Sequence, residues 1–339
     1  MRITIKDIAK IAGVSHTTVI KALKDKPRIS NELKEKIKKI AEKNNYIVNT
    51  NARNLALNEN RIIGMVISDI SIPLLAELTK SVEEVARSYG YNVIVCCSEN
   101  NADNENSAVM SLLQLRVSGI IIAPSYRGSE FVKQLKKSTI PFIVLGKIEG
   151  IDIDYITFDD MTATYNATKY LIKNGHRRIM CISDGDVAVY PYKSWIDGYK
   201  KALDEAGIIF DAAYVVECKS DPNSGYTSSR EFEYMKKKPS AIINFSDRNI
   251  TGIVKGLKDS NLRIPEDVSV IVLQDNDMFK YTEPSLSAVL FPKYQLGRIT
   301  AEYLLKKIID KKDDTMNIML PTDLIIRDST CKCNDKTSV

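Results

Sequence analysis

Residues 3–43 alternate apolar and polar positions at the three-to-four-residue spacing of amphipathic helices. The apolar positions of three successive segments are Ile5, Ile8, Ala9 and Ala12, then Val19, Ala22 and Leu23, then Leu33, Ile37, Ile40 and Ala41. Thr4 and Asp7 have the spacing of a capping box, and Ser15 and Ser30 are placed to cap the next two helices. Because Gly13 supplies a tight turn, the pattern predicts a helix-turn-helix unit closed by a third helix.

From Arg61 onward, short β-branched runs alternate with amphipathic helices. The runs are Ile62–Ile67, Val93–Val95, Ile120–Ile122, Phe142–Leu145, Ile179–Ile182, Ala241–Phe245 and Val268–Leu273. This alternation predicts parallel, doubly wound sheets, and the number of units favours two lobes with a ligand cleft at the carboxyl ends of the strands. The expected fold is a small all-α helix-turn-helix domain followed by a two-lobed α/β domain.

Basic charge is concentrated at the N-terminus. The chain carries a net charge of +5, and residues 1–60 hold 13 Lys and Arg against 6 Asp and Glu. On a helix-turn-helix pattern, this excess favours nucleic-acid binding. No apolar run approaches the roughly 20 residues that cross a bilayer, and the charged N-terminus lacks the pattern of a signal peptide. We therefore expect a cytoplasmic protein without a membrane partner.

The common motifs of catalysis are missing from the sequence. There is no G-x-G-x-x-G, G-x-x-x-x-G-K-[ST], H-E-x-x-H or G-x-S-x-G, and the two histidines are His16 on the second helix and His176 before a strand. The six cysteines favour free thiols, although a metal site or a regulatory disulfide stays open. We expect no enzyme activity, no cofactor and no metal.

Several short motifs occur in a specific order along the chain. They include Ile5-Lys6-Asp7-Ile8-Ala9, Ala12-Gly13-Val14-Ser15, Asn45-Tyr46, Ala52-Arg53, Gly175-His176-Arg177-Arg178-Ile179 and Ile264-Pro265-Glu266-Asp267-Val268. In this order and spacing they resemble the lactose/galactose repressor (LacI/GalR) family of transcriptional regulators over nearly the whole chain. The resemblance implies a homodimer that binds a double-stranded DNA operator, and a large domain like periplasmic sugar-binding proteins with a small-molecule effector, a carbohydrate or a sugar phosphate.

The resemblance also implies domain boundaries. The helix-turn-helix domain would span residues 1–48, a hinge helix and linker 49–60, and the effector domain 61–330, with a tail at 331–339. One lobe would combine residues 61–160 and 291–318, and the other 161–290 and 319–330. Because the tail has no leucine heptads, a tetramer held by a C-terminal coiled coil is not expected.

The recognition helix would be Ser15–Leu23. The residues implied at the DNA are Thr4, Ser15, His16, Thr17, Thr18, Lys21, Ser30, Asn49, Ala52, Arg53 and Leu55. Of these, His16, Thr17 and Lys21 are expected at base edges, whereas Thr18, Ser30 and the lysines of the third helix are expected at phosphates. Leu55 would wedge into the minor groove, as apolar side chains of DNA-bending proteins do, unless it packs inside the linker.

The resemblance also implies which residues contact the effector. The residues implied are Ile70, Pro73, Leu74, Tyr190, Lys193, Trp195, Phe245, Ser246, Asp247, Gln274, Asp275 and Phe291. Lys193 stands where relatives usually have an arginine, and Gln274 replaces a carboxylate. This change in charge favours an anionic or phosphorylated ligand, unless Lys193 points to solvent and the pocket has lost its ligand.

Two other functions fit parts of the sequence. The first is a global regulator of the same architecture, controlled by a phosphoprotein corepressor docked on the outer face. The second is a solute-binding protein or a sugar-modifying enzyme, which the N-terminal segment and the missing catalytic motifs oppose.

Overall fold

The described residues between 3 and 46 form three helices around a small apolar core. The helices are α1 (Ile5–Ala12), α2 (His16–Leu23) and α3 (Asn31–Lys43). The predicted capping box is confirmed, because the Thr4 hydroxyl accepts from the Asp7 amide at 3.3 Å and the Asp7 carboxylate accepts from the Thr4 amide at 2.9 Å. Gly13 ends α1 with a φ of 70°, a left-handed conformation that favours glycine.

The computed structural model describes residues 3–23, 25–44, 46, 60–125, 130–188, 190–311 and 315–333. The chain divides into two compact units, residues 1–60 and 61–339. The predicted hinge residues Asn49, Ala52, Arg53 and Leu55 lie outside the described residues.

The large unit begins with an N-terminal lobe. Its elements are β1 (Ile62–Ile67), α4 (Pro73–Ser88), β2 (Asn92–Cys97), α5 (Ala102–Gln114), β3 (Gly119–Ile122), α6 (Glu130–Ser138), β4 (Phe142–Leu145) and β5 (Tyr155–Phe158). Helix α11 (Lys293–Asp310), which packs against α4, and strand β11 (Asn317–Leu320) return to this lobe later in the chain. The sheet order is β11-β5-β4-β3-β1-β2.

The C-terminal lobe follows the same plan. Its elements are α7 (Asp160–Lys173), β6 (Ile179–Ser183), α8 (Tyr192–Glu205), β7 (Val215–Glu217), α9 (Pro222–Arg230), β8 (Ala241–Asn244), α10 (Ile250–Asp259), β9 (Ser269–Leu273), β10 (Ser287–Leu290) and β12 (Asp323–Ile325). The sheet order is β12-β10-β9-β8-β6-β7, and β12 pairs antiparallel with β10. The chain therefore passes between the lobes after β5, after β10 and after β11.

Both sheets have helices on their two faces, which explains the apolar runs in their central strands. Every residue of β3, β6, β8 and β9 is buried, as expected of parallel strands covered on both sides. The predicted two-lobed, doubly wound fold is confirmed, with the antiparallel β12 as an addition to the parallel expectation. Among the described helices, none is both long and apolar enough to cross a membrane.

In each sheet the strand order reverses between the first and third strand of the lobe, that is, between β1 and β3 and between β6 and β8. At such a switch point the following loops diverge and leave a crevice outside the carboxyl ends of the strands. The two crevices belong to the same unit, and the cleft between the lobes lies at this level.

Candidate effector cleft and DNA-binding face

A cavity of about 290 Å³ lies between the two lobes. The N-terminal lobe lines it with loops that follow β1, β3 and β4, including Ser68, Ser125 and Gly146. The C-terminal lobe contributes the loop after β6 and the start of α8. Since ligand pockets usually enclose about 300–1,000 Å³, this volume suits a small ligand with a single ring.

Asp160, the first residue of α7, organises the floor of the cavity. One carboxylate oxygen accepts from the Trp195 indole N–H at 3.0 Å, and the other accepts from the Tyr190 hydroxyl at 2.6 Å. The Tyr190 hydroxyl also forms a hydrogen bond with Thr157 of β5, so it connects the two lobes. Burial raises the pKa of Asp160 to about 7, although the hydrogen bonds from Tyr190 and Trp195 oppose the shift.

The raised pKa of Asp160 predicts a pH-dependent stability. In the unfolded chain this carboxyl ionises near its ordinary pKa of about 3.9. Between that value and about 7, the folded chain keeps a proton that the unfolded chain has lost, so the free energy of unfolding falls as pH rises through this window. The Asp160→Asn variant does not titrate there, and urea unfolding of both proteins across the window should show wild type losing stability relative to it. If the free energies of unfolding of wild type and Asp160→Asn changed with pH in parallel, the prediction would be wrong.

Aromatic rings form much of the cavity wall. Trp195 packs edge-to-face on Tyr192, with ring centroids 5.2 Å apart, and Phe158 packs edge-to-face on Phe291 at 4.8 Å. Gly185 makes room for this wall, because a Cβ at that position would lie 2.2 Å from the Tyr192 ring. The rings therefore give the cavity the flat apolar surfaces against which a ring-shaped ligand can pack.

Gln274 and Ser125 are two of the neutral polar residues in the lining. Gln274, directly after β9, has a φ of 92°, a left-handed conformation that costs an ordinary side chain of order 1–3 kcal/mol. On the opposite lobe, Ser125 is buried beside Glu105. Its backbone amide donates to the buried Glu105 carboxylate at 2.6 Å.

The structure separates the predicted effector residues into two groups. Those that line the cavity are Leu74, Tyr190, Trp195, Gln274 and Phe291. Those that do not are Ile70, Pro73, Lys193, Phe245, Ser246, Asp247 and Asp275. Phe245 is fully buried behind Trp195, with ring centroids 5.3 Å apart, and Ile70 is exposed. Ser246 uses its hydroxyl to accept from the Arg248 amide, and burial raises the pKa of Asp247.

Lys193 is placed differently from the sequence-based expectation. Its ammonium lies 3.0 Å from the Glu149 carboxylate, and its side chain is 47% exposed. Two residues along a helix correspond to a rotation of about 200°, so Lys193 faces away from the cavity where Trp195 faces in. With Lys193 outside, no Lys, Arg or His is found among the described lining residues, so the cation that favoured an anionic ligand is not part of the described cavity wall.

Asp275 also has a different role from the one expected. Both of its carboxylate oxygens accept from the Arg327 guanidinium at 2.8 Å, and both side chains are nearly buried. This fork-to-fork geometry is that of a structural ion pair. It ties the end of β9 to the segment after β12 rather than facing a ligand.

Helix α2 presents three of the predicted DNA contacts to solvent. His16, Thr17 and Lys21 are exposed, while Val19 and Ala22 are buried. The hydroxyls of Thr4, Ser15 and Ser30 accept from backbone amides as helix caps, and Thr18 bonds to Ser15 at 2.9 Å.

The lysines of α3 are not all available to phosphates. Lys38 forms an ion pair with Asp25 at 3.0 Å, and Lys34 donates to the Asp25 carbonyl at 3.3 Å. Lys39 is exposed. It is the better candidate for a phosphate contact on this helix.

The sequence pattern missed Thr157, Asp160, Asp184, Asp186 and Tyr192 at the cavity. Asp184 and Asp186 directly follow a predicted strand, where ligand residues of such sheets gather, so that signal was present in the sequence. Asp160 follows β5, a strand that the pattern did not identify.

A helix-turn-helix unit in one chain with a two-lobed domain that encloses a small-molecule cavity defines a ligand-controlled DNA-binding regulator. Residues 4–49 match the family of bacterial regulatory proteins named after lacI, and residues 60–328 match the periplasmic binding proteins and sugar binding domain of the LacI family. The chain belongs to the LacI family, and it is a transcriptional repressor with an effector-binding domain.

Relatives support this assignment along the whole chain. The chain is 30% identical to catabolite control protein A of Priestia megaterium, with 97% of this chain and 100% of that protein covered. It is also 30% identical to the transcriptional repressor PurR of Vibrio vulnificus, with 98% and 99% covered. The fold is that of the Lac repressor dimer bound to operator and the anti-inducer ONPF, with a TM-score of 0.86, 23% identity, and 98% and 100% of the two chains covered.

Proposed function

We propose that two copies of this chain bind an operator through paired α2 helices, and that a small ring-shaped effector in the interlobe cavity changes operator affinity. The cavity is the observation that carries this proposal, because residues of both lobes line it. A ligand that contacts both lobes binds one lobe arrangement better than another and shifts their equilibrium. The sugar-binding domain of the matched family and the aromatic walls favour a carbohydrate-like ring.

The proposed role is regulation rather than catalysis. The proposed location is the cytoplasm, where the operator DNA lies. The relatives above are transcriptional regulators. A cavity lined by residues of both lobes favours a small-molecule effector over a protein corepressor docked outside. Mass spectrometry of the purified protein under native conditions separates these two controls, because a small molecule and a protein differ in the mass they add.

The DNA side of the proposal is tested on α2 and α3. With an operator selected from random duplexes, Lys21→Ala should change the preferred base at one position, costing about 1–3 kcal/mol there, because its side chain is exposed on the recognition helix. Lys39→Ala is the matched control. The Lys39→Ala variant should bind every DNA sequence more weakly by the same factor, and its binding should depend less on salt concentration.

Fluorescence anisotropy on wild-type and single-base-variant operators measures both effects. Identical base preferences in wild type and Lys21→Ala would contradict the placement of Lys21 at a base edge. Operator affinity that no cavity ligand changes would contradict effector control.

A further inference from the structure

The described lining of the interlobe cavity contains the acidic side chains Asp184 and Asp186 and no basic side chain. Asp160 also lines the cavity, but its pKa of about 7 leaves it largely protonated near pH 6. Lys193 and Arg248, the cations of two ion pairs between the lobes, are paired outside the lining with Glu149 and Asp69, at 3.0 and 3.3 Å. A negatively charged ligand would therefore meet repulsion in a partly desolvated space, whereas a positively charged one would meet attraction.

The three carboxylates are not equally available to a ligand. Both oxygens of Asp160 already accept hydrogen bonds from Tyr190 and Trp195. Asp184 accepts from the Ser220 hydroxyl through Oδ2 only, and Asp186 accepts from the Ala188 amide through Oδ1 only. Within the described residues, Oδ1 of Asp184 and Oδ2 of Asp186 accept no hydrogen bond. Each can take one from a ligand.

The aromatic wall adds to this attraction. Trp195, Tyr190 and Tyr192 line the cavity together with Asp184 and Asp186. The faces of aromatic rings carry negative potential and attract organic cations, most strongly where water is excluded. The rings also stack on the apolar face of a saturated ring. On the opposite lobe, Ser125 is a buried polar residue of the lining.

We propose that the effector of this cavity is a single-ring polyol that carries a protonated amine, with its ring against Tyr190 and Tyr192 and its ammonium between Asp184 and Asp186. This class includes the amino sugars. The proposal rests on the proposed function of the cavity as the effector site, and it replaces the anionic ligand that Lys193 suggested from sequence.

Matched pairs of sugars test the charge preference directly. Calorimetry on the full-length protein at about pH 6, where an alkyl amine is protonated, would compare the 2-amino hexoses glucosamine, galactosamine and mannosamine with glucose, galactose and mannose. The 6-phosphates of the neutral sugars form the third arm. In at least one pair, the amine should bind ten-fold or more tightly than its neutral parent. The phosphate should bind more weakly than either.

Variants then locate the charge. Asp184→Asn should weaken binding of the amino sugar about ten-fold. Its affinity for the neutral parent sugar should stay within two-fold of the wild-type value. The same change at the exposed Asp204 is the control and should alter neither. Equal affinity within every pair, tighter binding of a phosphate, or an equal loss for amine and neutral sugar in Asp184→Asn would overturn the proposal.

Operator binding separates this proposal from the function on which it rests. If a neutral or phosphorylated sugar binds and changes operator affinity, the cationic effector is wrong and effector control stands. If none of the sugars binds or changes operator affinity, the cationic effector fails as stated, and the sugar-controlled repressor fails with it.

Discussion

Replacing Asp275 by alanine is expected to lower the free energy of unfolding of the large unit by about 3–5 kcal/mol. The Arg327 guanidinium donates to both carboxylate oxygens of Asp275 at 2.8 Å and to the Leu286 carbonyl. The two side chains of the ion pair are only 10% and 7% exposed. Without Asp275, the guanidinium stays buried without an opposing charge, which costs far more than the pair itself contributes.

Trp195 provides the measurement, because the chain contains one tryptophan and it lies in the large unit. Its fluorescence follows urea unfolding of that unit alone. Asp277→Ala is a matched control: Asp277 pairs with Lys280 at 2.6 Å, but its side chain is 91% exposed, so no measurable change is expected. If Asp275→Ala were as stable as wild type and lost effector binding, Asp275 would be a ligand contact after all.

Trp195→Ala is expected to remove effector binding and to lower the free energy of unfolding by about 3–5 kcal/mol, the usual cost of emptying a buried aromatic site. The indole is almost fully buried, packs on Tyr192 and Phe245, and donates to Asp160. The alanine variant therefore loses ring contacts and also leaves one oxygen of Asp160 without its donor.

Trp195→Phe separates the two contributions of Trp195. It keeps a ring but removes the N–H, so it should cost about 1–3 kcal/mol through the hydrogen bond lost at Asp160. Circular dichroism during urea unfolding measures both variants, and Tyr234→Ala, at an 84% exposed ring, serves as the control. A Trp195→Ala protein that unfolds with wild-type stability would show that the indole does not support the cleft.

The central strands could be predicted from sequence because burial on both faces leaves long β-branched runs. The short strands β7 and β12, Val215–Glu217 and Asp323–Ile325, lie at sheet edges and contain half-buried or exposed positions. An edge strand of three residues has no periodicity to detect. Its pairing is decided by the neighbour it meets in the fold.

The site was predictable to a similar degree. Trp195 and Tyr190 could be placed because they lie in one contact segment next to the start of a helix. Lys193 could not, because a rotation of two residues along α8 moves it from the cavity to the surface. Asp275 could not either, since its partner Arg327 lies 52 residues away in sequence.

Because the chain passes three times between the lobes, neither sheet can be completed until late in protein synthesis. Both sheets need a strand that comes after residue 316: β11 pairs with β5 in one sheet, and β12 pairs with β10 in the other. Until the ribosome has released that segment, the strands β5 and β10 are open edges of the two sheets, and Asp275 lacks its Arg327 partner. Open edges of this kind pair with other chains. The yield of soluble protein should therefore fall with changes in β11 and β12 that leave the rest of the finished fold intact.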